Sequence, residues 1–428
     1  MKQLWVLLGL GILVLGFLAG GCGYVGLQTG KDILNNTLKI KNWELKITRW
    51  CFSGLPLVDK LDKILDNKTY IVLLQNNTEL RPSGGFMGSY AVLRAKGQGL
   101  SDVRIEDIYQ PDGQLVGYVE PPAPIKKAFP FGSWKLRDAN WDVDFQVAGE
   151  QIAWFLEQGG EKVDGVVAVN LSLVDKMLEI FGGVKTVTYD ERVTAQNLAN
   201  LAQTYAEVNK EKRDFLGAVG AALFERIKQS KPIEQIKLFK LIYDQLQQKQ
   251  ILVWMKDREI QQEILEKGWG GDLGNYGGDH LYIVEANLGA NKANCCVSRN
   301  VTQSVDGNNE KVSIRWENSS QFTDPKPPVF WGGNYIAYIR VVIPAEAVIS
   351  GAEKYDIEER GRFKIVGFWI TVPAGETAVT ELSYSLPVSG QILVKRQPGI
   401  DSFPYKLVVE GKVVVSKQID RDEEIKVK

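Results

Sequence analysis

Read as a succession of apolar and polar positions, the chain falls into four stretches. The first, Leu4 to Leu27, carries no charged residue. As a helix rising about 1.5 Å per residue it would reach roughly 36 Å, enough for a hydrocarbon core of about 30 Å. Residues 1–30 therefore predict a membrane anchor in preference to a cleaved signal, and the Met-Lys start before an apolar run looks like an export signal that places the bulk of the chain outside the cytoplasmic membrane. Cys22, after Leu18-Ala19-Gly20-Gly21, keeps a lipoprotein cleavage site open as the alternative. The second stretch, 31–66, predicts a helical stalk interrupted at Phe52-Ser53-Gly54-Leu55-Pro56. Its positions Leu57, Leu61, Ile64 and Leu65 follow helical spacing and should pack onto the domain behind.

The third stretch, 67–300, predicts an α/β domain. Tyr70–Leu74 is a short apolar run that reads as a buried strand, and Tyr90–Ala95 and Val103–Tyr109 flank a hairpin turn at Lys96-Gly97-Gln98-Gly99. A proline-rich connection, Pro111–Pro130, leads to an amphipathic run, Phe145–Leu156, that stops at Gly159-Gly160. Val163–Asn170 is apolar enough to be covered on both faces. With the helix Leu171–Phe181 and a strand Val184–Thr188 it predicts a β-α-β unit. A helical insertion follows at about 195–250, its stripe (Leu198, Leu201, Tyr205, Val208, Leu216, Val219, Leu223, Ile227) read as core or domain contact. Then come a strand at Gln250–Lys256, a helix at Asp257–Lys267 and a strand at Leu281–Val284. The fourth stretch, 301–428, alternates over Val312–Trp316, Tyr335–Ile343, Phe363–Val372, Thr377–Leu386, Ile392–Lys395 and Tyr405–Val409. That predicts an all-β sandwich-like domain, a spacer or a module that contacts carbohydrate or protein.

Charge and composition narrow the chemistry. Lys+Arg 51 against Asp+Glu 52 leaves a net charge of -1, with no basic patch of the kind nucleic acid requires. One histidine, His280, removes most Ser-His and Cys-His catalysis, so a metal would have to be held by oxygen. His280 begins a strand and reads as structural. Cys295 and Cys296 are adjacent, which is no metal spacing; one of them pairing with Cys51 and two buried free thiols both stay open.

Candidate chemistry gathers on three polar loops at the ends of apolar strands. The first holds Asn76, Asn77, Glu79, Arg81, Gly84, Gly85 and Ser89, with glycines that let backbone approach a ligand. The second, Leu136–Phe145, holds Arg137, Asp138, Asn140, Asp142 and Asp144. It reads either as a helix cap, best at Asp144, or as an oxygen site for Mg²⁺ at Asp138 and Asp142 beside an arginine. The third holds Asn287, Gly289, Asn291 and Lys292. Ligands of α/β sheets bind beyond the carboxyl ends of strands, so the three loops should converge.

The stretches Leu73–Tyr90 (LLQNNTELRPSGGFMGSY), Arg137–Phe145 (RDANWDVDF), VDGVVAVN with its following helix and Gly-Gly-Val, and Val284–Lys292 (VEANLGANK) resemble the bacterial domain-of-unknown-function family numbered 4012 (DUF4012). The order of strand, polar loop, Arg-Asp loop, DGVVAVN-like strand, helix and GGV is similar, more weakly, to the LytR-CpsA-Psr family. That second resemblance implies a mixed sheet with flanking helices. It also implies a membrane-anchored extracytoplasmic enzyme that moves glycopolymer from a polyprenyl-pyrophosphate carrier to the cell wall with Mg²⁺. Arg81 and Arg137 would then hold phosphates, and Asp138 would assist the metal or act as base. The usual aspartate-x-arginine pattern after the first strand is replaced here by Glu79-Leu80-Arg81. Two functions follow: a phosphoglycosyl (glycopolymer) transferase, or a non-catalytic envelope protein that binds glycan or protein. The expected partners are the cytoplasmic membrane, a polyprenyl-linked glycan and cell-wall polymer.

Overall fold

The run Tyr70–Leu74 lies in β1 (Lys68–Asn76), the middle strand of a five-stranded sheet. The computed structural model describes residues 60–427, apart from 97–98, 208–210, 277, 327–328 and 388–389. The expected anchor, Cys22, Cys51, most of the stalk and the centre of the first hairpin turn lie outside the described residues. Among those described, no helix is long and apolar enough to cross a membrane.

β1 pairs antiparallel with β2 (Phe86–Lys96), and β2 with β3 (Gly99–Asp107). On its other side β1 runs parallel to β4 (Gly165–Asn170), whose six residues are all buried. The predicted β-α-β unit does not form. The strand after the helix is only β5 (Val184–Lys185), paired with β6 (Arg192–Val193) in a separate ribbon. The sheet is completed by β7 (Ile251–Met255), antiparallel to β4.

Alternation along β1 sends its side chains to two cores. Ile71 and Leu73 meet α4 (Phe145–Gln158), whereas Tyr70 and Val72 face a layer of helices on the opposite side. That layer holds α1 (Leu61–Leu65), α5 (Leu171–Phe181), α6 (Leu198–Glu207), α7 (Lys212–Lys228), α8 (Pro232–Gln247) and α9 (Arg258–Glu266). The proline-rich connection carries two short helices, α2 (Tyr109–Gln114) and α3 (Ala123–Ala128). Ile64 and Leu65 are buried against the sheet, as their spacing predicts.

The C-terminal part is a sandwich of two six-stranded sheets, and it begins earlier than the sequence suggests. β8 (Asp279–Asn287), expected in the α/β domain, runs antiparallel to β11 (Tyr335–Pro344) and parallel to β16 (Gln391–Lys395). Its sheet is completed by β13 (Asp356–Arg360), β14 (Phe363–Val372) and β19 (Glu423–Lys426). The facing sheet holds β9 (Val297–Asp306), β10 (Asn309–Asn318), β12 (Val348–Ile349), β15 (Thr377–Ser385), β17 (Phe403–Val409) and β18 (Lys412–Ile419).

The two domains interlock through polar groups. Asp142 Oδ1 lies 2.7 Å from Arg360 Nη1. Arg340 Nη2 donates to the Trp141 carbonyl at 2.7 Å, with its guanidinium 4.3 Å over the Trp141 ring. Lys395 Nζ donates to the carbonyls of Asp272 and Leu273 at 2.7 and 2.8 Å, and burial pushes it down to about 8. Gly399 sits so close to Gly84 that a Cβ there would lie 1.9 Å from the Gly84 carbonyl oxygen. The sandwich is therefore part of the wall behind the polar loop, not a spacer.

Candidate functional site

The polar loop after β1 is held from inside. Asn76 Oδ1 accepts from the Thr78 backbone N–H and hydroxyl at 3.1 and 2.7 Å, the side-chain mimic of a turn that suits asparagine. Leu80 N–H donates to Asn294 Oδ1 at 3.0 Å, and Asn287 N–H to the Leu80 carbonyl at 2.9 Å. Asn77 Nδ2 reaches the Gly399 carbonyl at 3.0 Å. Three loops thus do converge, although the third arrives from the sandwich.

Arg81 turns into this junction and is 2 % exposed. Its Nη1 donates to the carbonyls of Asn287 and Leu80; its Nη2 lies 3.2 Å from Glu79 Oε1 and 3.7 Å from Asp138 Oδ1. Its guanidinium also covers the Phe86 ring at 5.4 Å. Arg137 is more open, stacked 5.4 Å over Tyr109 with Nε 3.6 Å from Asp138 Oδ2. Asp138 therefore meets a guanidinium on each oxygen.

Several expected ligand residues serve the loops themselves. Asn140 Nδ2 bonds Ser83 Oγ at 2.8 Å and the Gly85 carbonyl at 2.9 Å. Asn287 Nδ2 bonds the Asn291 carbonyl and Asn294 Oδ1, while Asn291 Nδ2 bonds the Asn334 carbonyl at 2.7 Å. Gly84 and Gly85 are required by packing. A Cβ on Gly85 would lie 2.4 Å from Asn76 backbone, and one on Gly84 2.5 Å from Asn170 Oδ1. The expected Mg²⁺ pair does not fit the donors present, because Asp142 is committed to Arg360 and Asp138 to two arginines. Among the described residues no three His, Cys, Asp or Glu side chains gather. Asp144 is the helix cap: Oδ1 accepts from Gln146 N–H at 2.9 Å and Oδ2 from Leu273 N–H at 3.2 Å. Burial nevertheless raises its carboxyl above the usual range.

Cys295 and Cys296 are joined to each other, which corrects both thiol expectations. His280 is buried against Phe363, and burial pushes it down to about 4, the behaviour of a structural imidazole.

What remains open to a ligand is a cleft of about 1140 Å³ beside this junction. One end is polar, lined by Asn76, Glu79, Arg81, Ser89, Asp107, Arg137, Asp138, Asn170 and Lys292. The other is a slot between helices, lined mostly by apolar residues, Leu171 and Val174 of α5, Leu198, Ala199 and Ala202 of α6, and Leu216, Val219, Gly220 and Leu223 of α7, with Gln203, Glu211 and Asp214 among them. The first turn of α5 opens at the boundary, next to Asn170, whose Oδ1 is buried with no partner among the described residues. The helical stripe is core, as its spacing predicts: Leu198, Val219, Leu223 and Ile227 are buried in the cluster on the helix side of the sheet, with Leu201, Tyr205 and Leu216 packed against it, and Val208 lies outside the described residues. The small residues Ala199, Ala202 and Gly220 beside that stripe also line the cleft.

These features define an α/β domain locked to a β-sandwich, with a cleft lined by charged loop residues and by a mostly apolar set from three helices. Residues 66–206 match the family described as "Protein of unknown function (DUF4012)", the family its motifs resemble. Among curated proteins none matches. Solved structures found similar include Bacillus subtilis TagV, at 12% identity and TM-score 0.26 over 48% of this chain and 82% of that one. The Bacillus subtilis transcriptional regulator yvhJ is similar at 11% identity and TM-score 0.24, over 42% and 77% of the two chains. The Lin1025 protein of Listeria innocua is similar at 12% identity and TM-score 0.24, over 48% and 80%. Likeness at that level carries no argument about fold or function.

Proposed function

We propose that this protein is an extracytoplasmic envelope protein that binds a polyprenyl-linked glycan precursor, with the phosphates at the polar end of the cleft and the prenyl chain in the slot. The observation that carries this reading is that one cleft brings together the charged side chains of the loops and a mostly apolar set from α5, α6 and α7. Its volume lies above the roughly 300–1,000 Å³ usual for small-molecule pockets. A long amphiphile satisfies both ends; a small polar metabolite would leave the slot empty. Arg137 and Lys292 supply positive charge, and the free N–H groups at the start of α5 favour an anion through the helix dipole. The weak resemblance to LytR-CpsA-Psr proteins points to the same ligand class.

Binding is favoured over transfer by the engagement of both arginines. Arg81 and Arg137 each already meet a carboxylate, and each Asp138 oxygen already faces a guanidinium. A glycopolymer transferase would need those groups released when substrate arrives.

The test is titration of the full chain in lipid nanodiscs with polyprenyl phosphates and pyrophosphates of increasing chain length, with and without Mg²⁺. Burial from water is worth about 0.8 kcal/mol per CH₂, but these chains start in the nanodisc bilayer, so binding should tighten only modestly with each added isoprene unit until the slot is full and then level off. Ala202→Trp should shorten that series, and Arg137→Ala with Lys292→Ala should weaken every member. Affinity indifferent to chain length would remove the reading. Glycan transfer that requires Mg²⁺ would replace it with the enzymatic one.

A further inference from the structure

We propose that the segment Leu115–Lys135, at the mouth of the cleft, is a surface that docks onto a lipid bilayer. Two turns in it stand side by side, because the Trp134 N–H donates to the Val119 carbonyl and the Val119 N–H to Ser133 Oγ, both at 2.7 Å. One turn presents Val116 and Tyr118 and the other Phe131, which are 96%, 62% and 95% exposed. Each carries a glycine at positive φ, Gly117 (φ +99) and Gly132 (φ +134), and a Cβ built on either would meet nothing within 4 Å. Both glycines therefore face open space. Their bases are fixed, since Leu115, Val119 and Trp134 pack on the core beneath the sheet.

The occupant follows from shape and charge. A pair of turns that exposes Val116, Tyr118 and Phe131 suits a bilayer interface, where aromatic side chains sit at headgroup level. The segment carries Lys126, Lys127 and Lys135 against Glu120, which hydrogen-bonds Tyr118 and pairs with Lys126 at 2.5 Å, so its net charge stays positive and complements anionic headgroups. Phe129, Phe131 and Trp134 also line the cleft, so tips and cleft are continuous. This surface extends the reading of the cleft as a lipid site, because a prenyl chain could pass from bilayer to slot without crossing water.

Vesicle sedimentation would not test this, because Leu4–Leu27 could bind vesicles unaided. Photo-crosslinking of the full chain in vesicles does. The substitutions are Phe131→p-benzoylphenylalanine and Tyr118→p-benzoylphenylalanine, with the same change at Val187, which is 96% exposed elsewhere, as control. Phospholipid adducts should form several-fold more at positions 118 and 131 than at 187. They should rise with the anionic lipid fraction, and Lys126→Glu with Lys127→Glu should blunt that rise. Adducts that persist in Ala202→Trp show docking independent of slot occupancy, so the docking proposal survives a failure of the ligand proposal. Yields at 118 and 131 no greater than at 187, or crosslinks to protein in place of lipid, would overturn it.

Discussion

Arg81 looks like a ligand arginine in the sequence and is a structural one in the fold, and that difference can be measured. Arg81→Ala removes a guanidinium that serves the carbonyls of Asn287 and Leu80 and the carboxylates of Glu79 and Asp138. The Asn287 carbonyl is left in a residue with no exposed surface, a loss of about 1–3 kcal/mol for an unsatisfied buried group. Glu79 and Asp138, with side chains only 15% and 12% exposed, lose a counter-charge, although Asp138 keeps Arg137. Breaking a buried pair from one side costs about 3–5 kcal/mol in all, and that is the loss expected here. Arg137, 36% exposed at its side chain, belongs to the surface class, where about 0–1 kcal/mol is the rule. Urea denaturation followed by tryptophan fluorescence should separate the two variants clearly. Arg81→Ala with Glu79→Ala should recover part of the loss, because one stranded carboxylate goes with its partner. An Arg81→Ala variant within about 1 kcal/mol of the parent would refute the structural assignment. The expected result has a practical corollary: loss of ligand binding in Arg81→Ala would say little about contact with ligand.

Two further expectations follow from buried contacts. Gly399→Ala places a Cβ against the Gly84 carbonyl at φ +85 and should cost roughly 2–6 kcal/mol, from backbone strain and overpacking together. Limited proteolysis should then cut between the domains, whereas Gly411→Ala, at φ +74 with nothing within 4 Å, should show only the strain. Burial beside Glu310 pushes Asp279 up to about 8. Folding therefore favours its protonated form, and the associated stability is fully present below the unfolded value near 4 and is lost as pH rises to about 8. Stability measured from pH 4 to 9 should fall across that window, and Asp279→Asn should flatten the fall. An unchanged slope in the variant would assign the dependence to other groups.

Most elements were legible because their burial follows a simple period. Tyr70–Leu74, Val163–Asn170 and the six predicted strands of the sandwich are apolar on the faces that the fold buries. β9 was not, since its inward face includes Arg299 and Gln303, which are buried through Glu285 and Glu310. No hydropathy period can show a buried polar residue satisfied by a partner far away in sequence. The convergence of three polar loops was legible, but their roles were not. Asn287 and Arg81 carry the same groups whether they hold a phosphate or each other, and only geometry separates those uses. β8 was assigned to the wrong domain for a related reason: a strand buried on both faces looks the same in either sheet.

Gly84 and Gly399, in contact across the junction, also bear on how such a chain can be inherited. The span that matches the family stops at residue 206, yet the loop at its heart is completed by residues 287, 294, 397 and 399. A recombination event that transplanted the first half alone would deliver a loop with its carbonyls and guanidinium facing nothing. The two halves should therefore travel through evolution together, with substitutions around 80–85 matched by changes near 287–294 and 397–399. Relatives lacking the sandwich would need a different lining for that loop.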